Sequence, residues 1–434
     1  MTDSQAEAAR VSTRSQETPS ATVAGGRRGA RHPALVVIMV ANFMLAFSFQ
    51  LWRSLFNNFA VGELGVRADQ IGLIQSVREI PGLLGFTVGL VALVLSEMRI
   101  VGLSIALLGV GIALTGGVGS LPGLLASTVL MSVGFHAFMP ANSSAILQLT
   151  GEDEAPHVLG RLTSLNAVAA LGGAGLVFVA LGPLGFRGLF AVTGVATALG
   201  GLVALVWSIR KPALSRSEGD HPGLAAVHPV PGPLGRAGRT PMRRRYWLYY
   251  ALEFLMGSRR HIFTTFAVFL LVREYNVPAQ TITVLYLVNN LVGAFLYRQF
   301  GGIIARFGEK RTLTVNFLLL ILVFLGYAYI PVLPVLYGLF LADQMLFGLR
   351  IALQSYFQKI AVHPREITPN LSLGQTINHI AAVIIPLVGG IVWEAVGSQY
   401  TFLVGVGIVC TSLVVVQWMR VERDTASRAV VAIE

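Results

Sequence analysis

Cysteine is almost missing from this chain of 434 residues; Cys410 stands alone, inside an apolar run. A single cysteine excludes an intrachain disulfide and any cysteine-based zinc cluster. Charge is scarce as well: Asp, Glu, Lys and Arg make up 12% of the sequence, against roughly 25% in ordinary soluble domains. So few charges do not solvate the surface of a water-soluble protein of this size, which excludes a soluble enzyme. Acid is the scarcer sign, with 21 Asp and Glu against 32 Lys and Arg and a net charge of +11. The sequence also lacks a Gly-rich loop followed by Lys-Ser/Thr, the cradle for nucleotide phosphates. It lacks a nucleophile–base constellation and any run of His, Cys or clustered carboxylates suited to a metal. The expectation is therefore no enzyme, no cofactor and no metal. Residues 1–33 are rich in Ser, Thr, Ala, Gly and Arg and have no apolar segment with a small-residue cleavage site. They read as a disordered basic tail, not a signal peptide.

What is abundant is apolar sequence: 54% hydrophobic residues and a mean hydropathy of +0.69. From Ala34 onward, twelve apolar runs follow one another, at 34–60, 70–95, 100–117, 122–149, 160–182, 187–209, 246–272, 279–305, 312–331, 333–361, 367–395 and 399–419. Each is near or above the roughly 20 residues that cross a hydrocarbon core. Inside lipid the backbone must satisfy its own hydrogen bonds, so these runs predict helices. Continuous runs, rather than alternating ten-mers, exclude a transmembrane β-barrel. The segment 210–245 holds six prolines and the basic cluster Arg243, Arg244 and Arg245, and reads as a linker. It divides the chain into a first bundle, 34–209, and a second, 246–420, with tails at 1–33 and 421–434.

The positive charges sort by side. With the N-terminus inside, the tails and even-numbered connections hold 23 of the 32 Lys and Arg, and the opposite side only Arg67, Arg187 and Arg273. That split is a positive-inside signal. It predicts a multi-pass protein of the cytoplasmic membrane with both termini in the cytoplasm. The net +11 is thus mostly a topology signal facing the bilayer, and it does not imply nucleic acid. Trp207, Trp247 and Trp418 near one set of span ends, and Trp393 near the other, are the expected interfacial anchors.

The two bundles match each other. Residues 53–61, RSLFNNFAV, align with 260–268, RHIFTTFAV. After a four-residue change of offset, Val66, Ala68, Ile71, Val77 and Gly82 fall on Val277, Ala279, Ile282, Val288 and Gly293. Residues 163–170, TSLNAVAA, align with 375–382, QTINHIAA, and Gly134 and His136 fall on Gly348 and Arg350. Parallel halves with a pathway between them are a transporter architecture. The segment 301–311, GGIIARFGEKR, is similar to the loop motif Gly-x-x-x-Asp-Arg-x-Gly-Arg/x-Lys/Arg-Arg, with Ala305 in place of the Asp. The corresponding stretch 89–99 keeps only its ends, Gly89 and Arg99. On these residues the chain, over about 34–420, resembles the major facilitator superfamily. The resemblance implies an all-α membrane protein of twelve transmembrane helices in two pseudo-symmetric six-helix bundles, acting as a monomeric secondary transporter. It assigns Gly301, Arg306, Gly308, Lys310, Arg311 and Arg99 to gating. The missing aspartates predict a latch that is weaker or built differently.

The charges inside the spans rank the candidate site. A charge near the bilayer centre costs at least about 2.5–3.5 kcal/mol and should face a cavity or a partner. Arg53 corresponds to Arg260, His136 to Arg350, and the pair Arg78 and Glu79 to Asn289 and Asn290. In the superfamily that the chain resembles, helices one, four, seven and ten line the central cavity. Arg53 and Arg260 are therefore expected to face each other and to offer planar forks to a carboxylate or phosphate. The opposing reading pairs each arginine with an internal acid, Glu253 with Arg260 and Asp343 with Arg350, each seven residues apart on one helix face. Arg78 and Glu79 point about 100° apart and need not pair. Interior arginines nevertheless outnumber interior acids by two. Glu79, Glu253 and Asp343 are the candidates for proton coupling, with His136 a rival. The substrate-site residues are Arg53, Arg260, His136, Arg350, Arg78 and Asn289. The leading reading is transport of a small organic or phosphate-bearing anion by alternating access, coupled to protons or to exchange. The alternative is a proton-driven exporter of cationic or apolar compounds; a membrane-embedded enzyme or sensor comes last.

Overall fold

The computed structural model describes residues 33–150, 154–212, 243–362 and 366–420. The expected tails and most of the linker lie outside these described residues. The apolar runs form helices, since only a helix satisfies every backbone polar group within one segment in lipid. In chain order these are α1 (Pro33–Leu64), α2 (Ala68–Leu83), α3 (Thr87–Val91), α4 (Glu97–Gly117), α5 (Leu121–Leu149), α6 (Ala155–Arg210), α7 (Trp247–Arg273), α8 (Ala279–Phe307), α9 (Glu309–Tyr329), α10 (Leu333–Phe347), α11 (Ile351–Ile360), α12 (Ile367–Val396) and α13 (Ser398–Val416). Ten helices are long and apolar enough to cross a membrane, and no strand occurs among the described residues.

Ten long helices make twelve crossings for two reasons. α6 runs 56 residues, roughly 84 Å at 1.5 Å per residue, far more than one crossing needs. Gly185 interrupts it with φ 64 and ψ −179, so α6 has two limbs, the fifth and sixth crossings. The second addition is the pair α2 and α3, which share one crossing. The sequence predicts a single run over 70–95; instead a turn at 84–86 separates the two. Pro81 and the glycines at 82 and 85 weaken the helical ladder there. The tenth run, predicted unbroken over 333–361, is likewise divided by a 3-10 turn at Gly348–Arg350 between α10 and α11.

The repeat seen in the sequence is present in the backbone. Gly65 and Asn276 hold left-handed conformations, φ 60 and 52. They precede matching turn bonds from Val66 N to Ala60 O (2.9 Å) and from Val277 N to Leu271 O (3.0 Å). Gly185 and Gly397 both carry positive φ at the junction of the last two crossings of each half.

Aromatic side chains fill the interior: Trp52, Phe56, Phe59, Phe263, Phe266 and Phe269 are fully buried. Large apolar side chains such as Leu93, Val179 and Leu322 are exposed, as lipid-facing positions require. Trp247 and Trp418 are exposed and lie 5.8 Å apart. Trp393, expected as an interfacial anchor, is instead buried against Phe266, Phe269 and Phe402. Its indole thus packs between α7 and α13.

The halves meet along α2 and α12, which run antiparallel. A Cβ on Gly72 would lie 2.2 Å from the Pro386 carbonyl oxygen, and one on Gly390 2.4 Å from that of Ala68. Small residues let the two backbones touch. Glu394 caps this end by accepting the backbone N–H of Ala68 at 2.8 Å, and Asn58 donates to the Val277 carbonyl at 2.8 Å. Beside them Arg67 donates twice to Asp69, and those hydrogen bonds hold its guanidinium above the ordinary arginine pKa.

Candidate functional site

Five arginines stand in the interior of the bundle, and three of them have a carboxylate. Arg259 on α7 donates to Asp343 on α10 at 2.7 Å; their side chains are 0% and 2% exposed. Arg350 donates to Glu253 on α7 at 2.8 Å. Arg78 donates to its neighbour Glu79 at 2.7 Å. These contacts correct two expectations. Glu253 does not pair with Arg260, nor Asp343 with Arg350, because residues seven apart are about 10 Å apart along a helix axis. The acids reach across to the facing helix instead. Arg78 and Glu79 do pair, since long side chains can fold back over a 100° difference in direction.

Arg53 and Arg260, the two arginines that the repeat equates, have no carboxylate within ion-pair distance among the described residues. Both are partly exposed. Arg53 donates to Gln50 one turn away, and its guanidinium lies 4.3 Å from the centre of the Tyr286 ring on α8 of the other half. Its Nε is buried without a hydrogen bond. Arg260 lies 3.5 Å from the centre of the Phe347 ring on α10. A ring face steadies a guanidinium by about 0.5–2 kcal/mol and leaves its N–H donors free. Asn289 lies one turn along α8 from Tyr286, on the same face, and its Oδ1 is buried without a partner. Asn378 accepts from His261 at 3.5 Å, while the Oδ1 of its repeat equivalent Asn166 has no partner.

His136 does not join Arg350. It sits beside Glu79, with Nε2 3.8 Å from Oε2, and His379 of α12 brings Nδ1 to 3.3 Å from the same oxygen. The two imidazoles are edge to face, 5.4 Å between centres. A small pocket of about 30 Å³, lined by Phe49, Arg78, Glu79, Ser132, Phe135 and His136, opens on this group. The sequence reading missed this cluster because His379 has no polar equivalent in the first half. It likewise gave no role to Tyr286 and Phe347, since aromatic residues in an apolar helix carry no polarity signal. The signal available was their place on the faces of α8 and α10 that the repeat turns inward.

The residues that the resemblance assigns to gating lie in and beside two connections whose following helices each begin with an acid. Glu97 at the start of α4 accepts from Gln148 (2.7 Å) and Ser144 (3.4 Å) on α5. Glu309 at the start of α9 accepts from Ser355 (2.8 Å) and from Lys359 on α11. Gly308 carries φ 81 at the turn between α8 and α9, and Lys310 donates to the Gln417 carbonyl at the end of α13. Arg306 packs over Phe307 at 5.4 Å. Gly301 has open space around it. Arg99 has a buried Nε without a partner.

The described helices superpose on solved transporters. The crystal structure of the nucleoside transporter NupG matches with a TM-score of 0.67 and 14% identity, over 89% of this chain and 99% of that one. A bacterial homologue of the human lysosomal transporter Spinster, inward-facing and unoccupied, matches with a TM-score of 0.69 and 14% identity, over 90% and 97%. A bacterial homologue of the iron transporter ferroportin, inward-facing, matches with 0.66 and 16%, over 90% and 99%. At such identities the likeness concerns the fold. No curated protein matches the sequence. The family model of the Major Facilitator Superfamily matches residues 38–368, most of the two bundles. The chain is an integral multi-pass membrane protein and a transporter rather than an enzyme, and it belongs to the Major Facilitator Superfamily.

Proposed function

We propose that this transporter moves a small organic or phosphate-bearing anion by alternating access, holding it between Arg53 and Arg260. One observation carries the reading. The interior has two more arginines than acids, and the ion pairs leave the excess on the two residues that the repeat makes equivalent. Uncompensated guanidiniums inside a membrane are costly and need a partner. A bound anion supplies it, one fork from each half. Asn289 adds an amide on the same side as Tyr286. Arg78, Arg259 and Arg350 are already neutralised, and they shape the cavity rather than bind the anion.

The positive-inside arrangement orients the molecule with the linker end in the cytoplasm. On that orientation the close approach of α2 and α12 closes the outer side. Proton coupling or solute exchange supplies the energy. Among the acids, Asp343 and Glu253 are nearly fully enclosed by their arginines, and Glu79 borders the pocket.

The test is thermal stabilisation of the purified full-length protein against panels of carboxylates, phosphate esters, cations and sugars. Anions should stabilise it. Arg53→Ala and Arg260→Ala should each weaken the response by about 30-fold or more in half-saturating concentration, since removing one partner of a desolvated charge pair costs about 2–5 kcal/mol. Stabilisation by cations or sugars alone, or anion responses that survive both substitutions, would overturn the proposal.

A further inference from the structure

We propose that Glu79, His136 and His379 form a binding site for a divalent transition-metal ion, with ligands from both halves of the protein. The three offer one carboxylate oxygen and two imidazole nitrogens, all within 4.8 Å of one another. Four ligands around a metal with bonds of about 2.0–2.1 Å lie roughly 3.4 Å apart. Glu79 Oε2 is already 3.3 Å from His379 Nδ1 and 3.8 Å from His136 Nε2. Side-chain adjustments of about 1 Å or less would complete the arrangement, with a fourth position for water or another ligand.

The surroundings are those of a metal ligand set. His136 Nδ1 lies 3.0 Å from the Ser132 carbonyl oxygen. A carbonyl only accepts, so the hydrogen bond places the ring proton on Nδ1. The Nε2 lone pair is then turned toward Glu79 and His379. A metal-bound histidine is oriented in the same way by the groups around it. Arg78 holds Glu79 through Oε1 at 2.7 Å, and the second oxygen, Oε2, faces the imidazoles. Gly82 leaves the space open: a Cβ there would lie 2.6 Å from His136 Nε2 and 2.5 Å from His379 Cε1. The adjoining pocket reaches Glu79 and His136.

The donor set names the class of ion. Two imidazoles and a carboxylate suit the manganese-to-zinc series, whereas magnesium and calcium favour all-oxygen sites. The cluster's place gives it a consequence. Glu79 and His136 belong to the first half and His379 to α12 of the second, at the inner limit of the α2–α12 contact. A metal held by all three ties the halves together in the closed arrangement of that contact, and it shifts the conformational population by its preference for that state. The inference is independent of what the arginines bind.

The experiment uses full-length protein freed of any histidine tag, titrated with Co²⁺ and Zn²⁺ against a Mg²⁺ control. One Co²⁺ per chain should bind and give the visible absorption of a four- or five-coordinate site, and Zn²⁺ should displace it. X-ray absorption on the zinc-loaded wild type should show two imidazoles and one carboxylate; this readout does not depend on any variant folding. Glu79→Gln, His136→Gln and His379→Gln should each weaken Co²⁺ binding by at least about 10-fold, the lower end of what loss of a supporting group alone does. Gly82→Ala should do the same while removing no ligand. Failure of the wild type to bind Co²⁺ or Zn²⁺ below millimolar concentration overturns the proposal. So does a zinc environment without two imidazoles, or binding unchanged in the ligand variants that fold.

Discussion

Glu97 and Glu309 occupy the same position in the two halves and do the same work. Each is the first residue of its helix, and each accepts from a serine and from a longer side chain four residues on: Ser144 and Gln148 in one half, Ser355 and Lys359 in the other. The superfamily loop motif, which carries an aspartate at the place of Ala305, does not contain this pair. In this chain an acid stands at the head of the following helix in each half, where a helix N-terminus favours negative charge.

The repeat makes a prediction about Lys359. Because the first half makes the same contact with a neutral glutamine, Lys359→Gln should be tolerated, with a loss under about 1 kcal/mol; half of the lysine side chain is exposed and its charge is screened. Glu309→Gln should cost about 1–2 kcal/mol, because it removes the charged acceptor shared by Ser355 and Lys359. Thermal unfolding in detergent ranks the two variants. Equal losses would show that the lysine charge, and not the acceptor, holds α9 to α11.

Gly185 is predicted to resist replacement. With φ 64 and ψ −179 it adopts a backbone conformation open essentially to glycine alone. Gly185→Ala should destabilise by about 1–3 kcal/mol, and Gly397→Ala, at φ 111 and ψ 162, should do likewise. Gly182→Ala is the control: it is helical, and nothing lies within 4 Å of the added methyl. Differences in melting temperature between these variants and the control check the claim. If all three melt alike, the conformation at 185 is not required.

Much of the fold was legible in the sequence because lipid leaves the chain few choices. Apolar runs of crossing length must be helices, and the repeat around Arg53 and Arg260 located the halves. The breaks within the second and tenth runs were not legible, because apolar residues continue through the turn at 84–86 and the one at Gly348–Arg350. The excess of two interior arginines could be counted from the sequence. Which two were in excess could not, since pairings such as Arg259 with Asp343 are set by how α7 faces α10. The group of Glu79, His136 and His379 lay furthest from view. Its third member is on another half, and nothing in the spacing of residues 79, 136 and 379 marks them as neighbours.

Asp343 is predicted to be the least replaceable acid. Arg259 is fully buried, and two of its nitrogens, Nε and Nη2, already lack partners. Asp343→Asn removes its counter-charge and should cost about 3–5 kcal/mol, the usual result of stranding a buried charge. The double variant Arg259→Met with Asp343→Leu should recover most of that loss, because an apolar pair of similar volume needs no solvation. Thermal unfolding of the two variants tests this; a double variant as unstable as Asp343→Asn would mean that the ion pair itself specifies the α7–α10 contact.

The α2–α12 contact predicts how the closed end is broken. A methyl on Gly72 would sit 2.2 Å from the Pro386 carbonyl oxygen and 3.3 Å from the Gly390 Cα. All these neighbours are backbone atoms, so no side-chain rotation relieves the overlap. Overpacking of this kind costs about 1–3 kcal/mol or more, and Gly72→Ala should shift the halves apart at this end by roughly tenfold or more in population. The measurement is the rate at which a membrane-impermeant maleimide labels Asn58→Cys, in a Cys410→Ser background that leaves no other thiol. Asn58 belongs to the same closed end through its bond to the Val277 carbonyl. Labelling should accelerate on adding Gly72→Ala and stay unchanged on adding Gly62→Ala, where the methyl meets open space. An unchanged rate with Gly72→Ala would mean that this end stays shut without the close approach of the two backbones.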